Sequence, residues 1–506
     1  MKARRWGLLA PGLVILLAGR LCYLVVRYHG PDGPVKRPHL ESAALLLALA
    51  GFLVRFATDT RSSNAASRSR SGFALWLALV AGALALYWPA LHIGLLSDDF
   101  ILFQHASAWD VSQVAPQLFR PLPIFIWAIV LHVGGGPATL HLVNIVLHAS
   151  NAYLAGRIVS GWVPGRWWPT TGALLVLVAP LGPEAVVWSA GTFDLFATLW
   201  LLSAVLIARP SDSTAWPRLQ LIAVSVAALL SKETAVVLPL LLLIDGWVRR
   251  SLSRRAVVDI AIVTTFMLVF AAIRVQSATE VETAGVTRYR VQRLVFDSFG
   301  ALAAPWHADD PWIGVVRPVY ALCLIVLIGA FFLNRGPRWA SAAGLGGAVW
   351  VLASILPLVA FFHVGPQLEG ARYLYLGACG WVALLVSAAV DLEPRYPRAV
   401  VALRGLVAAL IVAGVWGVRE HLRPWIHAAT ARDTVLAAAA ADERLRTCAV
   451  AYVEGLPDAV EGAYLFANGA REALADVGVT AFARPGSGDC AFRWDAVATK
   501  FVSIDP

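Results

Sequence analysis

Long unbroken apolar runs alternate with short polar ones from the N-terminus to about residue 418. At helical rise most of these runs are long enough to cross roughly 30 Å of bilayer hydrocarbon, whereas the two that flank Lys232 and Glu233 reach only ~23 Å each. The pattern predicts spans near 7–26, 40–57, 73–96, 138–159, 170–188, 192–208, 216–231, 234–248, 257–275, 317–334, 340–361, 373–391 and 398–418. The run 121–133, "PLPIFIWAIVLHV", is too short to cross and predicts an interfacial helix. After residue 418 the pattern changes: "TCAVAYVEGLPD" predicts a strand and turn, "AYLFANG" a second strand ending in a turn, and "AREALADVG" a helix closed by glycine. The chain therefore reads as an all-α polytopic membrane protein with about 13 transmembrane helices and a small extramembrane α/β domain. Its divisions are 1–72 with two extra N-terminal helices, 73–418 with the main bundle, and 419–506 outside the membrane.

Composition agrees, with 59% of the 506 residues hydrophobic and only 14% charged, a balance foreign to ordinary soluble domains. The opening "MKARRW" and its apolar run also fit a signal peptide, but no small-residue cleavage site follows, and the run is read as an uncleaved first span. The net charge of +9 is informative by location. Threading from a cytoplasmic N-terminus gathers Arg61, Arg157, Arg209, Arg249, Arg254, Arg338 and Arg395 on one side, as the positive-inside rule requires. The same threading sends "SDDF", the loop 276–316 and the tail to the non-cytoplasmic side of what is expected to be a bacterial inner or cell membrane. Arg288, Arg290 and Arg293 then form a solvated loop face near lipid headgroups, and no nucleic-acid partner is expected.

Polar groups in or near hydrocarbon each cost a few kcal/mol and need a reason to be there. They cluster toward the outer side. His141, Asn144, His148 and Asn151 form one helical stripe, a pattern that suits interhelical hydrogen bonding better than catalysis. Glu184 and Asp194 flank the turn "WSAG", Lys232 and Glu233 interrupt two apolar runs, and Arg274 and Arg372 sit at span ends. Ser97, Asp98 and Asp99 could by themselves be the cap of a following helix. Cys22, Cys323 and Cys379 fall in spans, whereas Cys448 and Cys490 share the exported tail, where an oxidising compartment permits a disulfide.

In order along the chain, "SDDF", "FRPLPIFIW", "HLVNIVLHASNAYL", "GPEAVVWSAGTFDLFATLWLL", "SKETAVVLPLLLLIDGW" and "ARYLYL" resemble the signatures of GT-C-fold membrane glycosyltransferases. The resemblance is to the protein O-mannosyltransferase group, including its transmembrane TPR-containing members, over roughly residues 73–391. It implies transfer of a sugar from a polyprenyl-phosphate donor to a lipid, glycan or protein acceptor on the non-cytoplasmic face, with inversion. It assigns Asp98 as general base and Asp99 to the acceptor or sugar hydroxyls, with the two roles exchangeable. Arg372, Lys232 and Arg274 would meet the donor phosphate, and Glu184, Asp194, Glu233, Arg120 and His148 the sugar or acceptor. No cofactor is required, although the acidic and histidine groups could accept a divalent metal. The chain departs from the pattern in three places: two spans precede the one leading into the acidic loop, Thr192 and Phe193 stand where the related motif reads Gly-Arg-Ala-Asp, and no TPR array follows. A transporter or flippase of lipid-linked sugars and a non-catalytic scaffold are the alternatives. No internal repeat of the transporter kind is evident.

Overall fold

The computed structural model describes residues 65–111, 120–165, 167–209, 216–277, 288–307, 338–358, 364–392, 400–482 and 490–504, with scattered positions between 318 and 329. The expected spans 7–26 and 40–57, much of 317–334, and both Cys22 and Cys323 lie outside the described residues.

In hydrocarbon every backbone N–H and C=O must find a partner within its own segment, so the apolar runs fold as helices. They are α1 (Ala65–Tyr87), α2 (Asp98–Ser107), α3 (Pro121–His132), α4 (Pro137–Trp162), α5 (Trp168–Leu177), α6 (Pro183–Val187), α7 (Thr192–Ile207), α8 (Trp216–Leu229), α9 (Leu238–Val248), α10 (Arg254–Ser277), α11 (Arg288–Ala303), α12 (Arg338–Ile355), α13 (Tyr375–Leu392) and α14 (Val400–Ala441). Among the described residues, Gly72–His92, Ser189–Ile207, Ala371–Leu392 and Val400–Ala441 are long and apolar enough to cross a membrane. Leu219, Leu268, Phe296, Leu322, Ile325 and Val401 stand mostly uncovered on the outside of the bundle. So much apolar surface suits lipid, not water. The chain is an integral membrane protein.

At the centre, α4, α7 and α13 are buried nearly all round, as a helix without a polar face must be. α12 and α13 approach through glycines: a Cβ on Gly347 would lie 2.6 Å from the Gly380 oxygen, and one on Gly380 2.8 Å from the Gly347 oxygen. Small residues let two helix backbones touch where no water drives them together.

Three elements differ from the sequence expectation. The run 170–188 is not one helix, because α5 stops at Leu177 and α6 starts at Pro183. Pro180 and Pro183 lack the N–H a continuing helix needs and disfavour helical backbone at the residue before each. The carbonyls freed there are taken by histidines, with His148 Nε2 at 2.9 Å from Leu177 O and His421 Nδ1 at 2.7 Å from Pro180 O. Second, α14 runs unbroken for 42 residues through position 418, where the tail was expected to begin. Its length of ~63 Å is about twice the hydrocarbon thickness, so the helix continues beyond the bilayer. Third, the expected loop 276–316 contains α11, where Arg293 pairs with Asp297 one turn later.

Beyond α14 come the short helix α15 (Glu443–Thr447) and strands β1 (Ala451–Glu454), β2 (Ala459–Val460), β3 (Ala463–Tyr464), β4 (Ala481–Phe482), β5 (Cys490–Asp495) and β6 (Lys500–Ser503), with α16 (Ala470–Ala475) before β4. β2 and β3 form a two-residue ladder, while the larger sheet has the order β4-β1-β5-β6. β1 is parallel to β4 and β5, and β6 is antiparallel to β5. A disulfide joins Cys448, just before β1, to Cys490, which opens β5.

Candidate functional site

The site is built around the turn from Trp188 to Gly191. Gly191 comes so close to the Ala185 carbonyl that any Cβ would overlap it, which makes glycine obligatory. Asn144 holds this turn from α4, its Nδ2 donating to Trp188 O at 3.0 Å and to Ser189 O at 3.3 Å. The acidic loop holds it from the other side: Ala190 N–H donates to Asp99 Oδ1 at 2.7 Å, and Trp188 Nε1 to Leu96 O at 3.1 Å. Asp99 Oδ2 accepts from Leu96 N–H at 3.0 Å.

The two adjacent aspartates therefore differ. Asp99 is fully buried with both oxygens taken by backbone donors, leaving it poorly placed to hold an acceptor or sugar hydroxyl. Burial pushes its carboxyl well above the ordinary carboxylate range, against the pull of the Leu96 and Ala190 N–H groups. Asp98 is only half-buried. Its Oδ1 accepts from Asn468 Nδ2 at 2.6 Å and from Ser97 Oγ at 3.4 Å.

Beyond Trp188, five segments deliver charged side chains to one cluster. Lys232 Nζ lies 2.6 Å from Asp194 Oδ1, with both side chains nearly excluded from solvent. Arg372 pairs with Glu184 through its guanidinium, and its backbone N–H donates to the same carboxylate at 3.1 Å. Arg120 Nε donates to Glu233 Oε2 at 2.9 Å in a two-point contact. Aromatic rings connect the pairs. Arg372 lies 4.4 Å from the centroid of Trp188 and 4.7 Å from that of Tyr373, Lys232 lies 4.9 Å from Tyr373, and Arg120 lies 5.4 Å from Phe193. Cations held by a carboxylate on one side and a ring face on the other are fixed in place.

Local sequence explains the placement. Asp194 sits in the first turn of α7, where the helix dipole favours an anion. Lys232 is extended, at φ −161° and ψ 143°, between α8 and the 3-10 turn Glu233–Val237. That break lets it reach Asp194. At the opposite end of α7, Arg209 donates to Asp245 at 2.8 Å, and Trp162 Nε1 donates to the same carboxylate at 2.8 Å. The two ionic clusters thus mark opposite ends of the bundle.

Of the remaining candidates, His148 is not part of the cluster. It is fully buried in α4, with Nε2 on Leu177 O and Nδ1 2.7 Å from the Tyr375 hydroxyl. A carbonyl can only accept, so Nε2 is the donor and both ring nitrogens are used. Asn151 likewise donates to Leu195 O at 3.0 Å, and the polar stripe serves to hold helices together. Arg274 lies on α10, but its side chain is outside the described residues. Glu184, Asp194 and Glu233 each face a cation. Among the described residues no three His, Cys, Asp or Glu side chains are grouped to hold a metal ion.

Sequence reasoning did not single out Trp188, Tyr464 or Asn468 as site residues. Trp188 opens the turn "WSAG", which Glu184 and Asp194 flank. Asn468 and Tyr464 lie in the tail and carry no motif. Tyr464 sits 5.1 Å from Trp188 by ring centroids and 5.5 Å from the Arg372 guanidinium.

No protein-family model matches the chain, and no curated protein matches it. Two crystal structures of ArnT from Cupriavidus metallidurans align with it. The one bound to undecaprenyl phosphate gives a TM-score of 0.38 at 15% identity, covering 83% of this chain and 93% of that one. The one in the apo state gives 0.37 at 16% identity, covering 84% and 93%.

Proposed function

We propose that this chain is a membrane glycosyltransferase that moves a sugar from a polyprenyl-phosphate donor to a hydroxyl acceptor at the non-cytoplasmic face. One observation carries the reading: six charged side chains from four of the motifs meet as three fixed ion pairs, next to a turn that also anchors the loop of Asp98.

In the proposed step the acceptor oxygen attacks the anomeric carbon and its proton passes to the Asp98 carboxylate. The bond from the anomeric carbon to the phosphate oxygen breaks on the opposite face, and its electron pair leaves with the polyprenyl phosphate. The configuration inverts. Negative charge grows on the departing phosphate, where Arg372 and Lys232 stabilise it more in the transition state than in the ground state. Ring stacking and carboxylate pairing hold these cations beforehand, so little reorganisation accompanies the charge. Arg120, Glu233, Glu184 and Asp194 would bind sugar hydroxyls or keep the cations in register. A monophosphate leaving group does not itself require a divalent ion.

The test offers detergent-solubilised full-length protein radiolabelled polyprenyl-phosphate sugars and nucleotide sugars in parallel, scoring both transfer and slow hydrolysis. Release of sugar from the lipid donor alone is the expected result. Turnover of nucleotide sugars alone would overturn the reading. Lipid-donor flux into vesicles without any bond cleavage would establish transport instead.

A further inference from the structure

The segment after β3 reaches back over the acidic loop. Ser97 adopts φ 50° and ψ −121°, a backbone region that a residue with a side chain seldom occupies and that costs energy to maintain. Three contacts from the tail hold it there or beside it: Ser97 N–H donates to Leu465 O at 2.8 Å, Asn468 N–H to Ser97 Oγ at 3.3 Å, and Asn468 Nδ2 to Asp98 Oδ1 at 2.6 Å. Gly469 follows at φ +73°, and any Cβ there would overlap the Ser97 carbonyl. Beneath the loop, Arg432 of α14 donates to Leu95 O at 2.7 Å and also to Ile93 O, and a Cβ on Gly94 would come within 2.8 Å of that guanidinium. The loop is thus gripped from both sides by chain that follows the last span.

We infer that Asn468 is a positioning residue: its side-chain amide aims the Asp98 carboxylate at the acceptor, so the exported tail completes a site that the bundle alone leaves unfinished. The inference rests on the proposed role of Asp98. The amide occupies Oδ1 of the carboxylate and fixes the plane in which Oδ2 is offered. Tyr464, four residues earlier, reaches the Arg372 guanidinium, so one short segment touches the proposed base and the proposed phosphate cation together. The acceptor side and the donor side of the site are then both touched by one segment of the tail, through different residues. Acceptor hydroxyls would enter between Asp98 and the segment 464–469.

The experiment uses the full chain with Asn468→Ala and Asn468→Asp, the latter nearly isosteric and so a safeguard if the alanine variant folds poorly. Asn468→Ala should lower kcat for transfer by ~10- to 100-fold, as misplacement of a reacting group does, with donor KM and melting temperature unchanged. Asn468→Asp sets a second carboxylate against Asp98; two carboxylates that close share a proton, so its transfer rate should gain an acid limb displaced to higher pH. Carbodiimide footprinting of Asp98 by mass spectrometry, which needs no turnover, should rise in Asn468→Ala. A kcat within twofold of wild type, or unchanged footprinting, overturns the inference. A wild type inert toward every lipid donor, with footprinting that still rises, would instead remove the proposed reaction while leaving the grip of Asn468 on Asp98 intact.

Discussion

Asp98 and Asp99 are adjacent and chemically identical, yet their surroundings divide their work. Asp98→Asn keeps the shape and the contact with Asn468 but removes the proposed proton acceptor, so transfer should fall to background while the melting temperature stays within about two degrees of wild type. Activity near wild type would place the base elsewhere. Asp99→Ala should behave in the opposite way, because it strips two buried backbone N–H groups of their acceptor. The expected loss is about 2–4 kcal/mol, read as a lower melting temperature in detergent. Asp99 should also impose a pH dependence. Its folded carboxyl binds a proton more readily than the unfolded one, so its contribution is fully present at low pH and is lost as pH rises from the ordinary carboxylate range through the raised folded value. Thermal melts across that window should fall with pH more steeply in wild type than in Asp99→Asn; parallel curves would refute the assignment.

Helices and turns place these residues, and the buried pair between α7 and the break after α8 shows how. Removing one partner of a buried ion pair leaves an uncompensated charge, at a cost of about 3–5 kcal/mol, whereas replacing both by apolar residues is often neutral. Lys232→Met should therefore destabilise the protein, and the double variant Lys232→Met with Asp194→Leu should recover stability without recovering transfer. Recovery of both would make the pair purely structural. The contact between α12 and α13 admits a simpler test. Gly380→Ala places a Cβ against a backbone oxygen that cannot swing aside, and overpacking of this kind costs about 1–3 kcal/mol. An unchanged melt would mean that the two helices can separate freely.

Across the whole molecule, the two ionic clusters lie at opposite ends of α7, and the arginine-rich end is the one the positive-inside rule assigns to the cytoplasm. A cysteine at Val497, which is almost fully exposed on the loop between β5 and β6, should react with an impermeant maleimide on intact cells. One at Ser253, between α9 and α10, should react only after permeabilisation. The reverse pattern would invert the topology and move the proposed site to the side where nucleotide sugars are found.

The sequence by itself determined the membrane class, the helical character of the bundle and the residue types that gather at one end of it. Hydrophobic length and the cost of buried charge act locally, and both can be counted along a chain. Glu184, Asp194, Lys232, Glu233 and Arg372 were legible for that reason, whereas Arg120 stood out only through the family resemblance. Tertiary structure alone decided which of them pair, since partners such as Arg120 and Glu233 lie 113 positions apart and nothing local selects one carboxylate over another. It likewise separated Asp98 from Asp99, because burial and backbone donors come from Leu96 and Ala190 together. His148, expected to meet the sugar or acceptor, instead uses Nε2 to close the end of the broken helix α5 and Nδ1 to meet the Tyr375 hydroxyl; the first need exists only once Pro180 has interrupted the helix. The role of the tail was hidden for the same reason: Asn468 has no motif of its own and gains meaning only where the chain returns, 370 positions later, to Asp98.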